Sequence, residues 1–109
     1  MANRHRGEVE AVLGGRRFTL CLTLGALAEL EAAFAADNLP ALCARLAEGA
    51  PSTRDLIRIL AAGIRGGGTA LTDAEVAALP AAGELEACMR AAVALLAATF
   101  GGGEDAANP

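Results

Sequence analysis

In the stretch Arg16-Arg17-Phe18-Thr19-Leu20-Cys21-Leu22-Thr23-Leu24, the residues alternate in character. Phe18, Leu20, Leu22 and Leu24 share one face, and Arg17, Thr19, Cys21 and Thr23 share the other. A strict period of two predicts a half-buried strand. Upstream, Val9, Ala11 and Leu13 alternate with Glu8, Glu10 and Val12. Gly14-Gly15 lies between the two runs. Both central positions of a type I′ turn need positive φ, so the pair predicts a β-hairpin. An isolated hairpin is marginal in water. Its apolar face must therefore pack on the rest of the chain or on another chain.

After Leu24 the period becomes helical. Leu27, Leu30 and Phe34 line one face, with Glu29 opposite, which predicts a helix from about Ala26 to Ala36 ended by Asp37-Asn38. A second, short helix begins near Pro40, tolerated in a first turn because its missing N–H would be unsatisfied there. Its stripe is Leu39, Leu42, Cys43 and Leu46, and Gly49-Ala50-Pro51 stops it. Ser52 is the N-cap of a third helix, with Asp55 closing a capping box. Leu56, Ile57, Leu60 and Ile64 form its apolar face, and Gly66-Gly67-Gly68 terminates it. Thr72-Asp73-Ala74-Glu75 is a second capping box, opening a short helix that carries Val76 and Leu79 and ends at Pro80. A last helix runs from about Gly83 to Phe100, with Leu85, Cys88, Met89, Ala92, Leu95, Leu96 and Phe100 on its apolar side. The architecture expected is α+β: an N-terminal β-hairpin followed by a compact bundle of four to five helices. Residues 1–6 are expected to be a flexible arm, 7–100 a single domain and 101–109 a flexible tail.

The 109 residues suit one domain. Hydrophobic residues make up 54% and aromatics only 3%, which opposes disorder but gives a thin core. About a quarter of the chain is alanine, far above ordinary usage. Net charge is −4, and all nine basic residues are arginines. Nucleic-acid binding rests on a basic surface, so nucleic acid is disfavoured as a partner. Cys21, Cys43 and Cys88 are odd in number and form no CxxC pair, which points to a reducing cytoplasmic compartment. No signal-peptide core follows Met1, and Ala91–Phe100, the longest apolar run, is too short to span a bilayer.

No catalytic constellation emerges. His5 is the one histidine, and in a mobile arm nothing would hold it in reach of a substrate. The cysteines and carboxylates do not cluster as zinc ligands. Gly66-Gly67-Gly68-Thr69 follows a helix and lacks the lysine and spacing of a phosphate-binding loop. No enzyme activity, cofactor, metal or small-molecule substrate is expected.

Two helix faces are candidates for partner binding. At about 100° per residue, Arg54, Arg58 and Arg65 lie within roughly 40° of one another. They form either a docking strip for an acidic partner or, as charged rows commonly do, a solvated face. A DNA recognition helix is the weaker alternative, because no helix-turn-helix spacing precedes it and the net charge opposes it. On the last helix, polar groups stop at Arg90. Ala91, Ala94, Ala97 and Ala98 are read as a face opposite Leu95 and Leu96, open either to close approach of a partner or to nothing, since alanine is also plain helix filler. Ala94, Leu95, Leu96, Ala98 and Phe100 complete the candidate contact set with the three arginines. Glu31, near the edge of the first helix's apolar arc, is expected to pair with Arg17 or Arg65.

The run from Gly7 to Leu20, its exit Leu22-Thr23-Leu24-Gly25-Ala26-Leu27-Ala28-Glu29-Leu30-Glu31, and the later helix Asp55-Leu56-Ile57-Arg58-Ile59-Leu60-Ala61-Ala62-Gly63-Ile64-Arg65-Gly66-Gly67-Gly68 together resemble a known family. It comprises small tail assembly chaperone-like proteins encoded in gene transfer agents and related prophages of alphaproteobacteria, some of which carry a tail tube label. The resemblance runs from about Gly7 to Phe100. It implies a non-enzymatic role in building a phage-like tail, with the tape measure protein and the tail tube protein as partners and no membrane. It supplies no catalytic residue. A structural tail subunit, extending a neighbour's sheet through Arg16–Leu24, is the alternative, and a homo-oligomer is compatible with either role.

Overall fold

The computed structural model describes residues 7–47, 52–80 and 85–100. The element order is β1 (Glu8–Leu13), β2 (Arg16–Cys21), α1 (Leu24–Ala33), α2 (Leu39–Ala47), α3 (Thr53–Gly66), α4 (Asp73–Ala77) and α5 (Leu85–Phe100). This is the α+β hairpin-then-helices architecture that the sequence predicts. The arm, the tail and the stop at Gly49-Ala50-Pro51 lie outside the described residues.

The hairpin forms as expected. Gly14 and Gly15 have φ of +59° and +79°, and the antiparallel register pairs Leu13 with Arg16, Ala11 with Phe18 and Val9 with Leu20. These pairs form the inner face. Leu13, Phe18 and Leu20 are buried, and the Arg16 guanidinium lies 4.9 Å from the Phe18 ring centre. The outer face carries Glu10 and Arg17, which form an exposed ion pair of 3.5 Å.

Strand alternation stops earlier than expected. The Thr23 hydroxyl accepts a hydrogen bond from the Ala26 N–H at 3.0 Å, so Thr23 is an N-cap and α1 starts at Leu24. Leu24, expected on the buried strand face, is 84% exposed, because the chain has already turned into a helix there. The end of α1 also moves. Ala36 N–H bonds to Glu31 C=O at 2.8 Å and Ala35 N–H to Ala32 C=O at 3.3 Å, a Schellman closure. Its left-handed position, normally glycine, is Ala35 with φ of +54°. Asn38 therefore does not end α1. Its side chain accepts from Ala41 N–H at 2.8 Å and caps α2.

The helix α3 is central, packing against β2, α1, α4 and α5. Ser52 and Asp55 form the expected capping box, as do Thr72 and Glu75 for α4. Contact on several sides buries Ile59 through Ile64 continuously, so the apolar face is wider than a single stripe. The expected end also holds: Gly68 takes φ of +109°, and Thr69 N–H reaches back to Ile64 C=O at 3.1 Å. Gly66 and Gly67 do more than end the helix. A Cβ on Gly66 would collide with the Cys21 carbonyl, and one on Gly67 with the Thr19 carbonyl. Those carbonyls point away from β1, so the glycines let the C-terminal turn of α3 lie directly against the outer edge of β2. The expected pairing edge for a neighbour's sheet, Arg16–Leu24, is thus covered by the chain's own helix at Thr19 and Cys21.

Candidate interaction surface

The arginine row exists on α3, but the fold uses most of it. Arg58 Nη1 donates to Ala33 C=O at 3.0 Å. Ala33 is the last residue of α1, where carbonyls lack helical partners and the macrodipole favours a cation. Arg65 Nη1 donates to Leu71 C=O at 2.8 Å and to Asp73 Oδ1 at 3.0 Å. Its Nη2 donates to Glu29 Oε1 at 2.8 Å. One guanidinium thus ties α1 and the start of α4 to the end of α3. The hydrogen bond to Glu29 raises the Arg65 pKa above its ordinary value, Asp73 adds to this, and partial burial opposes it. The acidic partner of Arg65 on α1 is Glu29, not Glu31. Arg17 pairs with Glu10 instead. Arg54 is exposed and makes no hydrogen bond or ion pair among the described residues.

On α5 the packed face is rotated from the expected one. Leu95 is 0% exposed, so it is core and cannot meet a partner while the fold is intact. Ala91, one turn earlier on the same side, is buried with it, as is Ala92. The set Ala91, Ala94, Ala97 and Ala98 is therefore not an outward face. Its members divide among core (Ala91), half-buried positions (Ala94 and Ala98) and solvent (Ala97). The cause is the hairpin: α5 packs along β1 as well as α3, and small side chains permit that approach. Leu96 and Phe100 are half-buried.

The large exposed apolar residues of α5 are Leu85, Met89 and Val93, the last 65% exposed. Helical periodicity puts Leu85 and Met89 in the apolar stripe, but both are exposed. The only sequence signal for their exposure is their one-turn spacing beside Glu86 and Arg90. Met89 and Val93 line a groove of about 370 Å³ between α2 and α5, together with Phe34, Leu46, Leu56, Ile59 and Leu96, and Arg45 and Asp55 add polar groups to it. It can take an apolar side of a helix or extended segment.

Among the described residues no three His, Cys, Asp or Glu groups converge as metal ligands. Among those residues, too, no helix is long and apolar enough to cross a membrane. No curated protein and no solved structure matches the chain. A family model described as "Phage tail tube protein, GTA-gp10" matches residues 6–102.

Proposed function

Since the chain belongs to the GTA-gp10 phage tail tube protein family, and with it to the proteins of phage-like tails, we propose that it is a non-enzymatic tail assembly chaperone. Its partners on this proposal are the tape measure protein and the tail tube protein, bound while the tail is being built. The carrying observation is the groove between α2 and α5, lined by Leu46, Met89, Val93 and half-buried Leu96. A helix with an apolar stripe fits such a groove, and packing of this kind needs no chemistry. Ala94 and Ala98 are half-buried on the same helix. Of the three arginines, Arg54 is the one whose side chain makes no hydrogen bond or ion pair among the described residues.

The second reading, a structural subunit of the tail, is favoured by the family's description as a tail tube protein. Co-expression with the tape measure and tube proteins, followed by purification of finished particles, separates the two. A chaperone is recovered with the tape measure or tube protein from co-expressing cells and is missing from finished particles. Many copies per particle would establish the subunit reading instead. A DNA-binding regulator would be retained on DNA with a steep salt dependence; with Arg58 and Arg65 engaged inside the fold, no such retention is expected.

A further inference from the structure

We propose that the outer edge of β1 takes an added strand from another protein, an extended segment with basic residues at alternate positions. The register fixes which main-chain groups face outward. Glu10 pairs with Thr19, and the Thr19 carbonyl points away from β1, toward Gly67. The pair is therefore a non-hydrogen-bonded one, and the N–H and C=O of Glu10 point the opposite way, off the outer edge of β1. Val12, two residues on and opposite Arg17, repeats that orientation. Neither residue makes a main-chain hydrogen bond outside the hairpin among the described residues. Both are exposed, Val12 at 47%. The core lies on the other face, where Leu13, Phe18 and Leu20 join Ala91, Ala92 and Leu95. The hairpin thus has its β2 edge covered by α3 and its β1 edge open at Glu10 and Val12. Such an edge recruits an extended segment through main-chain hydrogen bonds.

Charge selects the occupant. Residues directly opposite on adjacent strands carry their side chains on the same face, and opposite charges there attract. The Glu10 side chain, 3.5 Å from Arg17, remains 39% exposed. A cation opposite Glu10 on an added strand extends the row Arg17–Glu10 with alternating sign. The residue that bonds the Glu10 main chain is the one opposite it, so basic residues at every second position place a cation there. A second copy supplies none through this edge. Glu8–Leu13 reads EVEAVL, with two glutamates and no basic residue, so β1 against β1 brings no cation to Glu10 in any register. The β2 edge, which carries the hairpin's arginines, is covered by α3 at Thr19 and Cys21.

This edge is separate from the groove between α2 and α5, so neither proposal rests on the other. The probe is a short peptide of alternating threonine and arginine, added to the full-length protein, with amide hydrogen exchange followed by NMR. In the free protein the Glu10 and Val12 amides should exchange fast, and the Val9 and Ala11 amides, which face β2, slowly. The peptide should slow exchange at Glu10 and Val12. Methylating the main-chain nitrogens of the peptide's arginines keeps its charge but removes the donors that face β1, and should abolish that protection. Glu10→Arg replaces attraction by repulsion and should weaken peptide binding about fivefold, with far-UV circular dichroism checking that the variant stays folded. Protection of Glu10 and Val12 in the free protein would overturn the proposal, since the edge would already be closed, by a second copy if the protection rises with concentration. So would a methylated peptide that binds as well as the plain one, which reduces the contact to charge attraction, or binding unchanged by Glu10→Arg.

Discussion

Replacing Gly66 by alanine sets two effects of opposite sign against each other. Intrinsic helix propensity favours alanine over glycine by about 0.5–1 kcal/mol, so the helix alone predicts a gain. The structure predicts a loss. A Cβ on Gly66 falls 3.0 Å from the Cys21 carbonyl carbon, closer still to its oxygen, and 3.4 Å from Thr23 Cγ2. Ordinary contacts at such a carbon are 3.4–4 Å. The obstacle is strand backbone and cannot rotate away, so α3 must shift, and with it Ile64 and Leu60 in the core. Overpacking of this kind costs about 1–3 kcal/mol. With the propensity gain subtracted, the net loss should centre near about 1.3 kcal/mol, within a span of about 0–2.5, or roughly 5–10 °C in melting temperature at the centre. Gly25→Ala is the internal control. Its Cβ would meet only Thr23 Oγ1, at 3.8 Å, so it should gain about 0.5 kcal/mol. Urea unfolding followed by circular dichroism measures both variants. A Gly66→Ala midpoint at or above wild type would refute the close α3–β2 contact on which the fold depends.

Ala35→Gly should stabilise by about 0.5–1 kcal/mol in the same assay, because Ala35 holds the left-handed closing position of α1 that glycine occupies without steric cost. Arg65→Ala removes the hydrogen bonds to Glu29, Asp73 and Leu71 and should cost about 1–2 kcal/mol. Part of that loss should shrink in high salt, since both carboxylates are more than half exposed. An unchanged midpoint would show that the guanidinium does not tie α1 to α4.

Elements whose signal lies within a few residues were legible in sequence. The Gly14-Gly15 turn, the two capping boxes and the glycine stop of α3 all depend on local φ/ψ preferences and side chains reaching three residues along. Boundaries shifted where the residue type does not announce the terminator: Thr23 continues the strand alternation yet caps α1, and Ala35 takes the left-handed closing position that alanine disfavours. The candidate site was harder to read. Periodicity shows that α5 is helical, but with apolar residues all around it no stripe stands out, and which side is buried was settled by the hairpin lying along it. Leu95 went to the core, and Met89 and Val93 went to solvent. The arginine row was visible as spacing, but its partners, Ala33 and Glu29, are 25 and 36 residues away, beyond any local pattern.

The abundance of alanine and the scarcity of aromatics were set by the sequence alone, and they dictate a small core that needs close contacts. The tertiary structure decided where those contacts fall. Alanine carries too little side chain to orient a helix by itself, so orientation came from the few large, fully buried residues, among them Leu20, Ile59, Ile64 and Leu95, that join one core cluster.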